Sequence, residues 1–231
     1  MKIHGFQKTT LLDYPGRVAC MVFTGGCDFR CPFCHNATLV LDPDSAPTFD
    51  EDEIIAYLIK RKGILDGLCV TGGEPLLNAD IADFLRRVKG VGLDVKVDTN
   101  GTFPDRLKSL VSEGLVDYVA MDIKNSPEKY GQTAGVPNMR LDKINESVSY
   151  LLSGAVDFEF RTTAVNELHE PDDFDKIGRW IAGAPRYFIQ AYKDSGNILT
   201  GGLTPMTKEG YLACLDKVRP YVPNAEIRGI D

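Results

Sequence analysis

The chain has 231 residues, 43% of them apolar, enough for one large domain or two small ones around a substantial core. Its formal charge of −7 argues against a broad basic surface for nucleic acid. The first residues lack the apolar run of a signal peptide, and the longest apolar stretch, residues 18–23, is too short to span a bilayer. The expectation is a soluble cytoplasmic protein with neither a membrane nor a nucleic-acid partner.

Short β-rich runs alternate with amphipathic stretches along the chain. Residues 17–24 are apolar on both faces, as a buried parallel strand is. A cysteine-rich loop follows. Residues 49–62 predict a helix with an acidic first turn at 50–53. Residues 67–71 predict a strand closed by Gly72-Gly73, residues 78–89 a helix, and residues 94–98 a strand running into Asn100-Gly101. Residues 104–113 predict a helix with proline near its start, 117–123 a strand, 142–153 a helix and 157–163 a strand. Residues 171–182 predict the next helix, 186–191 the next strand, 207–218 the last long helix and 225–228 a short closing strand.

About six βα units in series place the chain in the α/β class, with parallel strands and right-handed crossovers. A partial barrel and a doubly wound sheet both fit. In either one, chemistry gathers at the C-terminal ends of the strands. The cysteine loop, Gly72-Gly73-Glu74-Pro75, Asp98-Thr99-Asn100-Gly101 and Asp122 with Lys124 all fall at such ends, with Arg161 and Gln190 on later strands.

Cys27, Cys31 and Cys34 stand within eight residues, spaced CxxxCxxC. Three thiolates so spaced can hold three irons of a 4Fe-4S cluster, leaving the fourth iron open to a ligand. Zinc is the first rival, but a closed site needs a fourth ligand, and neither Cys69 nor Cys214 has a CxxC partner. Haem attachment is the second, because Cys31 to His35 reads CxxCH, yet that leaves Cys27 unexplained. Cys20, Cys69 and Cys214 sit in apolar surroundings and read as core, while His4 and His169 read as surface residues.

The cysteine window, with the aromatic Phe33 before its last cysteine, resembles the radical S-adenosylmethionine (radical SAM) superfamily over about residues 6–220. The resemblance implies a partial (β/α)6 TIM-like barrel, one domain over residues 1–231 with a core at about 17–220. It also implies that S-adenosylmethionine chelates the open iron and, on one-electron reduction, yields a 5′-deoxyadenosyl radical that takes hydrogen from a substrate. Within it, Phe33 lies near the adenine, and Gly72, Gly73 and Glu74 hold the amino group, with Glu74 as a supporting acceptor. Asp98 and Thr99 contact the cofactor and, with Asp122, a possible monovalent cation. Lys124 pairs with the methionine carboxylate, and Arg161 contacts ribose and carboxylate.

The Cys34-His35-Asn36 ending and the DTNG segment resemble glycyl-radical enzyme activases. Residues 5–16 and Phe23-Thr24-Gly25-Gly26-Cys27 resemble the activating proteins of anaerobic ribonucleoside-triphosphate reductases. Pyruvate formate-lyase activase carries a cofactor-contacting histidine where this chain has Phe188-Ile189-Gln190-Ala191-Tyr192, which leaves Gln190 as the candidate contact. The implied partners are a glycyl-radical enzyme, first an anaerobic ribonucleotide reductase, and a flavodoxin or ferredoxin-type electron donor. Two other readings stand beside this one. A small-molecule radical enzyme such as a 7-carboxy-7-deazaguanine synthase would show an enclosed polar pocket, and a zinc or iron–sulfur binding module would hold metal without cleaving a cofactor.

Overall fold

The computed structural model describes residues 1–230. One sheet of eight strands runs in chain order: β1 (Ile3–Thr10), β2 (Ala19–Thr24), β3 (Gly67–Gly72), β4 (Asp94–Thr99), β5 (Tyr118–Asp122), β6 (Asp157–Ala164), β7 (Tyr187–Ala191) and β8 (Ala225–Arg228). The helices are α1 (Ala37–Leu41), α2 (Glu51–Lys60), α3 (Ile81–Val91), α4 (Pro104–Ser112), α5 (Tyr130–Ala134), α6 (Asp142–Leu152), α7 (Pro171–Trp180) and α8 (Lys208–Val218). β2 to β8 are parallel throughout, while β1 is antiparallel to β2. Doubly wound sheets reverse their strand order at a switch point. The unreversed order here is that of a barrel, left partial because it starts at β1 and stops at β8.

β1 was not expected from the sequence. Its central residues Gln7, Lys8 and Thr9 are exposed, so it lacks the apolar signature of the inner strands. The strand predicted from residue 17 begins at Ala19, and the helix predicted from residue 78 begins at Ile81. The other long elements fall within a few residues of their expected bounds. Local chemistry explains several ends. Asp50 caps α2 by accepting from the amides of Asp52 (2.7 Å) and Glu53 (3.2 Å). Glu170 and Asp173 form a capping box on α7, with Pro171 in its first turn.

Strand alternation divides the interior into two parts. On β4, Val95 and Val97 face the helices and join the main core, which also takes Leu68 and Val70 of β3 and Phe160 of β6. Lys96 and Asp98 face the barrel interior. There Ala19, Met21, Cys69 and Tyr118 pack with Tyr14 as a separate apolar floor. Polar side chains lie above that floor, at the C-terminal strand ends. No helix among the described residues is long and apolar enough to cross a membrane.

Candidate active site

The cysteine loop after β2 is anchored from several sides. Gly26 donates to the Leu39 carbonyl at 2.8 Å, and its own carbonyl accepts from the Glu74 amide at 2.8 Å. The Arg30 amide donates to the carbonyl of Ala134, at the end of α5, at 2.9 Å. The Arg30 guanidinium reaches back to the carbonyls of Cys27 (2.6 Å) and Phe29 (2.8 Å). Thr200, from the segment after β7, donates to the Pro32 carbonyl at 2.9 Å.

Cys27, Cys31 and Cys34 are free thiols, and all three line one cavity of about 770 Å³, open mouth included. Burial pushes the thiols of Cys27 and Cys31 up to about 12 and about 11. A positive centre is therefore needed to hold them as thiolates, which metal ligation supplies. The Phe29 amide already points at Cys27 Sγ from 3.4 Å. Among the described residues, no three of His, Cys, Asp and Glu converge on a position for one metal ion. The three thiols line the same cavity. Phe33 is buried in the same wall, and His35, also lining it, stacks on Tyr192 with ring centres 5.8 Å apart.

The turn after β3 comes next to this loop. Gly72 has a positive φ of +129°, and a Cβ there would strike the Thr24 backbone. A Cβ on Gly73 would strike the Gly26 carbonyl. Glycine at both places lets the turn lie against the cysteine loop and presents bare backbone to the cavity. Glu74 turns away from the cavity and is fully buried. Its carboxylate accepts from Thr99 Oγ1 (2.8 Å) and from the amides of Asn100 (2.7 Å) and Leu76 (3.0 Å). Burial pushes this carboxyl up to about 8, opposed by those hydrogen bonds. The Thr99 hydroxyl accepts from the Gly101 amide, so its own proton goes to Glu74. With every contact a donor, the pocket is built for the ionised form.

A row of alternating charges crosses β4, β5 and β6. Lys96 pairs with Asp98. Arg161 joins Asp98 (3.2 Å) to Asp122 (3.0 Å), and Lys124 pairs with the other oxygen of Asp122 at 2.9 Å. Burial acts to raise the Asp122 carboxyl, but Arg161 and Lys124 overcome it and hold it at about 2. Asp98 is lowered in the same way, against burial, by Arg161 and Lys96. Both oxygens of both aspartates are thus taken by basic side chains.

Most of the residues singled out in the sequence meet here. Cys27, Cys31, Cys34, Phe33, Gly72, Gly73, Asp98, Thr99, Asp122, Lys124 and Arg161 all line the cavity. Glu74 supports it from behind, and Gln190 lies outside its lining, half-buried on β7 between Thr163 and Arg228. The two histidines read as surface residues are buried, His4 to 6% exposure and His169 to 5%. His169 accepts from the Val165 amide at 3.1 Å, so its Nε2 carries the proton to the Lys124 carbonyl at 2.8 Å. It braces the backbone of a cavity residue from behind.

Two more residues matter that the sequence did not mark as site contacts, Asn100 being read there only as part of the DTNG segment. Asn100 donates to Asp28 of the cysteine loop at 2.8 Å, its amide orientation fixed by the Thr102 hydroxyl at 2.7 Å. Lys96, two positions before Asp98, was detectable only as a charge on the same strand face as Asp98.

Comparison with known proteins agrees with this geometry. A protein of Methanocaldococcus jannaschii, provisionally named a glycyl-radical enzyme activating enzyme, is 31% identical over 99% of this chain and 96% of its own length. The pyruvate formate-lyase 1-activating enzyme of Escherichia coli K12 is 30% identical over 74% of this chain and 71% of its own. The fold matches Streptococcus suis SuiB bound to its precursor peptide SuiA with a TM-score of 0.68, at 15% identity, over 90% of this chain and 48% of that one. The family model of the Radical SAM superfamily matches residues 21–174, two thirds of the chain, and the protein belongs to that superfamily.

Proposed function

We propose that this radical SAM enzyme is an activase that acts on a backbone glycine of a partner glycyl-radical enzyme. One observation carries the reading: three unbridged thiols and an acid–base array share one cavity, on a chain similar from end to end to a protein named as such an activase. The donor set fits the superfamily's groups. Cys27, Cys31 and Cys34 would hold a 4Fe-4S cluster, with soft thiolate ligands for three irons. A Cβ on Gly72 or Gly73 would collide with the backbone of Thr24 or Gly26, so the two glycines let the turn close on the cysteine loop and leave its backbone for the amino group of S-adenosylmethionine. Lys124 and Arg161 offer donors to its carboxylate, Phe33 offers a wall to its adenine, and Asp98 and Thr99 complete the contact. Bound together, cluster and S-adenosylmethionine supply the electron and the hydrogen-abstracting group.

The rest of the chain positions these contacts. Glu74 ties the turn after β3 to Thr99 and Asn100, and Asn100 ties that segment to the cysteine loop. A monovalent cation at Asp98, Thr99 and Asp122 would share carboxylate oxygens that already accept from Lys96, Arg161 and Lys124. The chain acts as one domain, with a flavodoxin or ferredoxin-type protein as its electron donor. The opening segment at residues 5–16 makes an anaerobic ribonucleotide reductase the first partner to try.

The test is anaerobic incubation of the reconstituted protein with reductant, S-adenosylmethionine and that reductase. Electron paramagnetic resonance should show a glycyl radical on the partner, with 5′-deoxyadenosine formed alongside. Formation of 5′-deoxyadenosine with no radical on any glycyl-radical enzyme would move the substrate to a small molecule.

A further inference from the structure

Lys96 is 1% exposed, one of the largest fully buried side chains in the protein. A buried ammonium is costly unless it is paired. Its pair is Asp98, on the same face of β4. In register it stands between Cys69 on β3 and Tyr118 on β5, two members of the apolar floor. It does not line the cavity. An apolar residue would fill that floor without a desolvation cost, so the charge itself calls for an explanation.

The charge balance of the array supplies one. Among its members that line the cavity, Asp98 and Asp122 cancel Lys124 and Arg161. Lys96 leaves one positive charge in excess. Of the neighbouring carboxylates, Glu159 is paired with Arg228 at 3.4 Å, while Glu74, held by three neutral donors, keeps its charge behind Thr99 and outside the lining, so the excess belongs to the ion-paired array alone. Arg161 spends Nε on Asp122 and Nη1 on Asp98, so as many as three of its five N–H donors remain for a ligand. Without Lys96, Asp98 would depend on Arg161 alone. An arriving carboxylate would then be a third anion facing two cations.

We propose that Lys96, acting through Asp98, is a positioning residue that tips the array to net positive and makes the cavity select ligands carrying a free carboxylate. The proposal rests on reading the cavity as the S-adenosylmethionine site. Decarboxylated S-adenosylmethionine keeps the adenosine, sulfonium and amino groups and lacks only the carboxylate. A charge effect therefore separates the two ligands, whereas a packing defect weakens both.

Calorimetric binding of each ligand to the anaerobically reconstituted protein tests this, in the wild type, Lys96→Met and Lys96→Gln. The glutamine variant keeps a hydrogen-bond donor for Asp98 should the methionine variant fail to fold. The neutral variants should bind S-adenosylmethionine about tenfold more weakly or worse, the scale of one unit charge lost from a partly buried site. Binding of the decarboxylated ligand, which keeps two positive groups and offers no carboxylate, should be unchanged or tighter, since the loss of a nearby positive charge removes repulsion rather than attraction. Equal weakening of both ligands, or no change in either, would overturn the proposal. A wild type that binds neither ligand would instead overturn the reading of the cavity on which it rests.

Discussion

Six cysteines divide into two sets of three that differ in place rather than in chemistry. Cys20, Cys69 and Cys214 lie on β2, β3 and α8, fully buried, with burial pushing each thiol up to about 12. Cys27 and Cys31 are pushed up by burial to much the same level. Acidity therefore does not mark Cys27 and Cys31 as candidate ligands. What marks them is a loop at the C-terminal strand ends, where three thiols reach one cavity, whereas strand alternation and helix packing point the other three into separate parts of the core. Position in the topology sets a candidate ligand apart from an ordinary core residue.

Exchanging the sets in mutants should expose that difference most strongly. Cys31→Ala should abolish iron and sulfide uptake on anaerobic reconstitution. Cys69→Ala should retain full uptake and lose only about 1 kcal/mol of stability, close to one buried methylene's worth. Equal iron content in the two variants would erase the distinction. Arg161→Met comes next. It strips a partner from both Asp98 and Asp122, leaving each with one base, and should cost about 3–5 kcal/mol in denaturant unfolding. A cost below about 1 kcal/mol would show that the array behaves as a solvated surface pair.

Two glycines repeat the comparison on the backbone. Gly73→Ala drives a Cβ into the Gly26 carbonyl and should weaken S-adenosylmethionine binding by about tenfold, in line with overpacking costs of about 1–3 kcal/mol. Gly90→Ala, on α3, meets nothing within 4 Å and should stabilise the fold by about 0.4–1 kcal/mol. A tolerant Gly73→Ala would mean that the turn does not need its close approach to the cysteine loop.

The smallest effect concerns acid stability. Asp122 is held at about 2, below its ordinary 3.8, because Arg161 and Lys124 outweigh the opposing effect of burial. A depressed carboxylate contributes stability above its unfolded value and loses it as the pH falls through the folded one. Unfolding free energy measured from 3.8 down to about 2 should therefore drop more gently in Asp122→Asn than in the wild type. Parallel curves would place the acid sensitivity elsewhere.

The legible part of the sequence was local. CxxxCxxC, the double glycine and DTNG each compress their chemistry into a few adjacent residues at a strand end, and the βα alternation assigns those ends to one rim. The illegible part depended on distant contacts. β1 carries polar residues on an edge and forms only because β2 is there to pair with it. His169 is recognisable only once its loop packs against Lys124, 45 positions away. Asn100 reaches Asp28 across 72 positions. Gln190 is the converse case: it lies on the right kind of strand but outside the cavity lining. Strand order is the other feature local pattern leaves open, since it cannot distinguish a barrel from a doubly wound sheet, and the unreversed order of neighbouring strands settles it.

The most direct test of the central claim, that the strand-end cavity performs radical S-adenosylmethionine chemistry, is a single-turnover assay. The protein is reconstituted anaerobically with iron and sulfide, reduced with dithionite, given S-adenosylmethionine and assayed for 5′-deoxyadenosine, beside Cys31→Ala. The account predicts 5′-deoxyadenosine and methionine from the wild type and none from the variant. A reconstituted wild type that holds its iron yet leaves S-adenosylmethionine intact would contradict it.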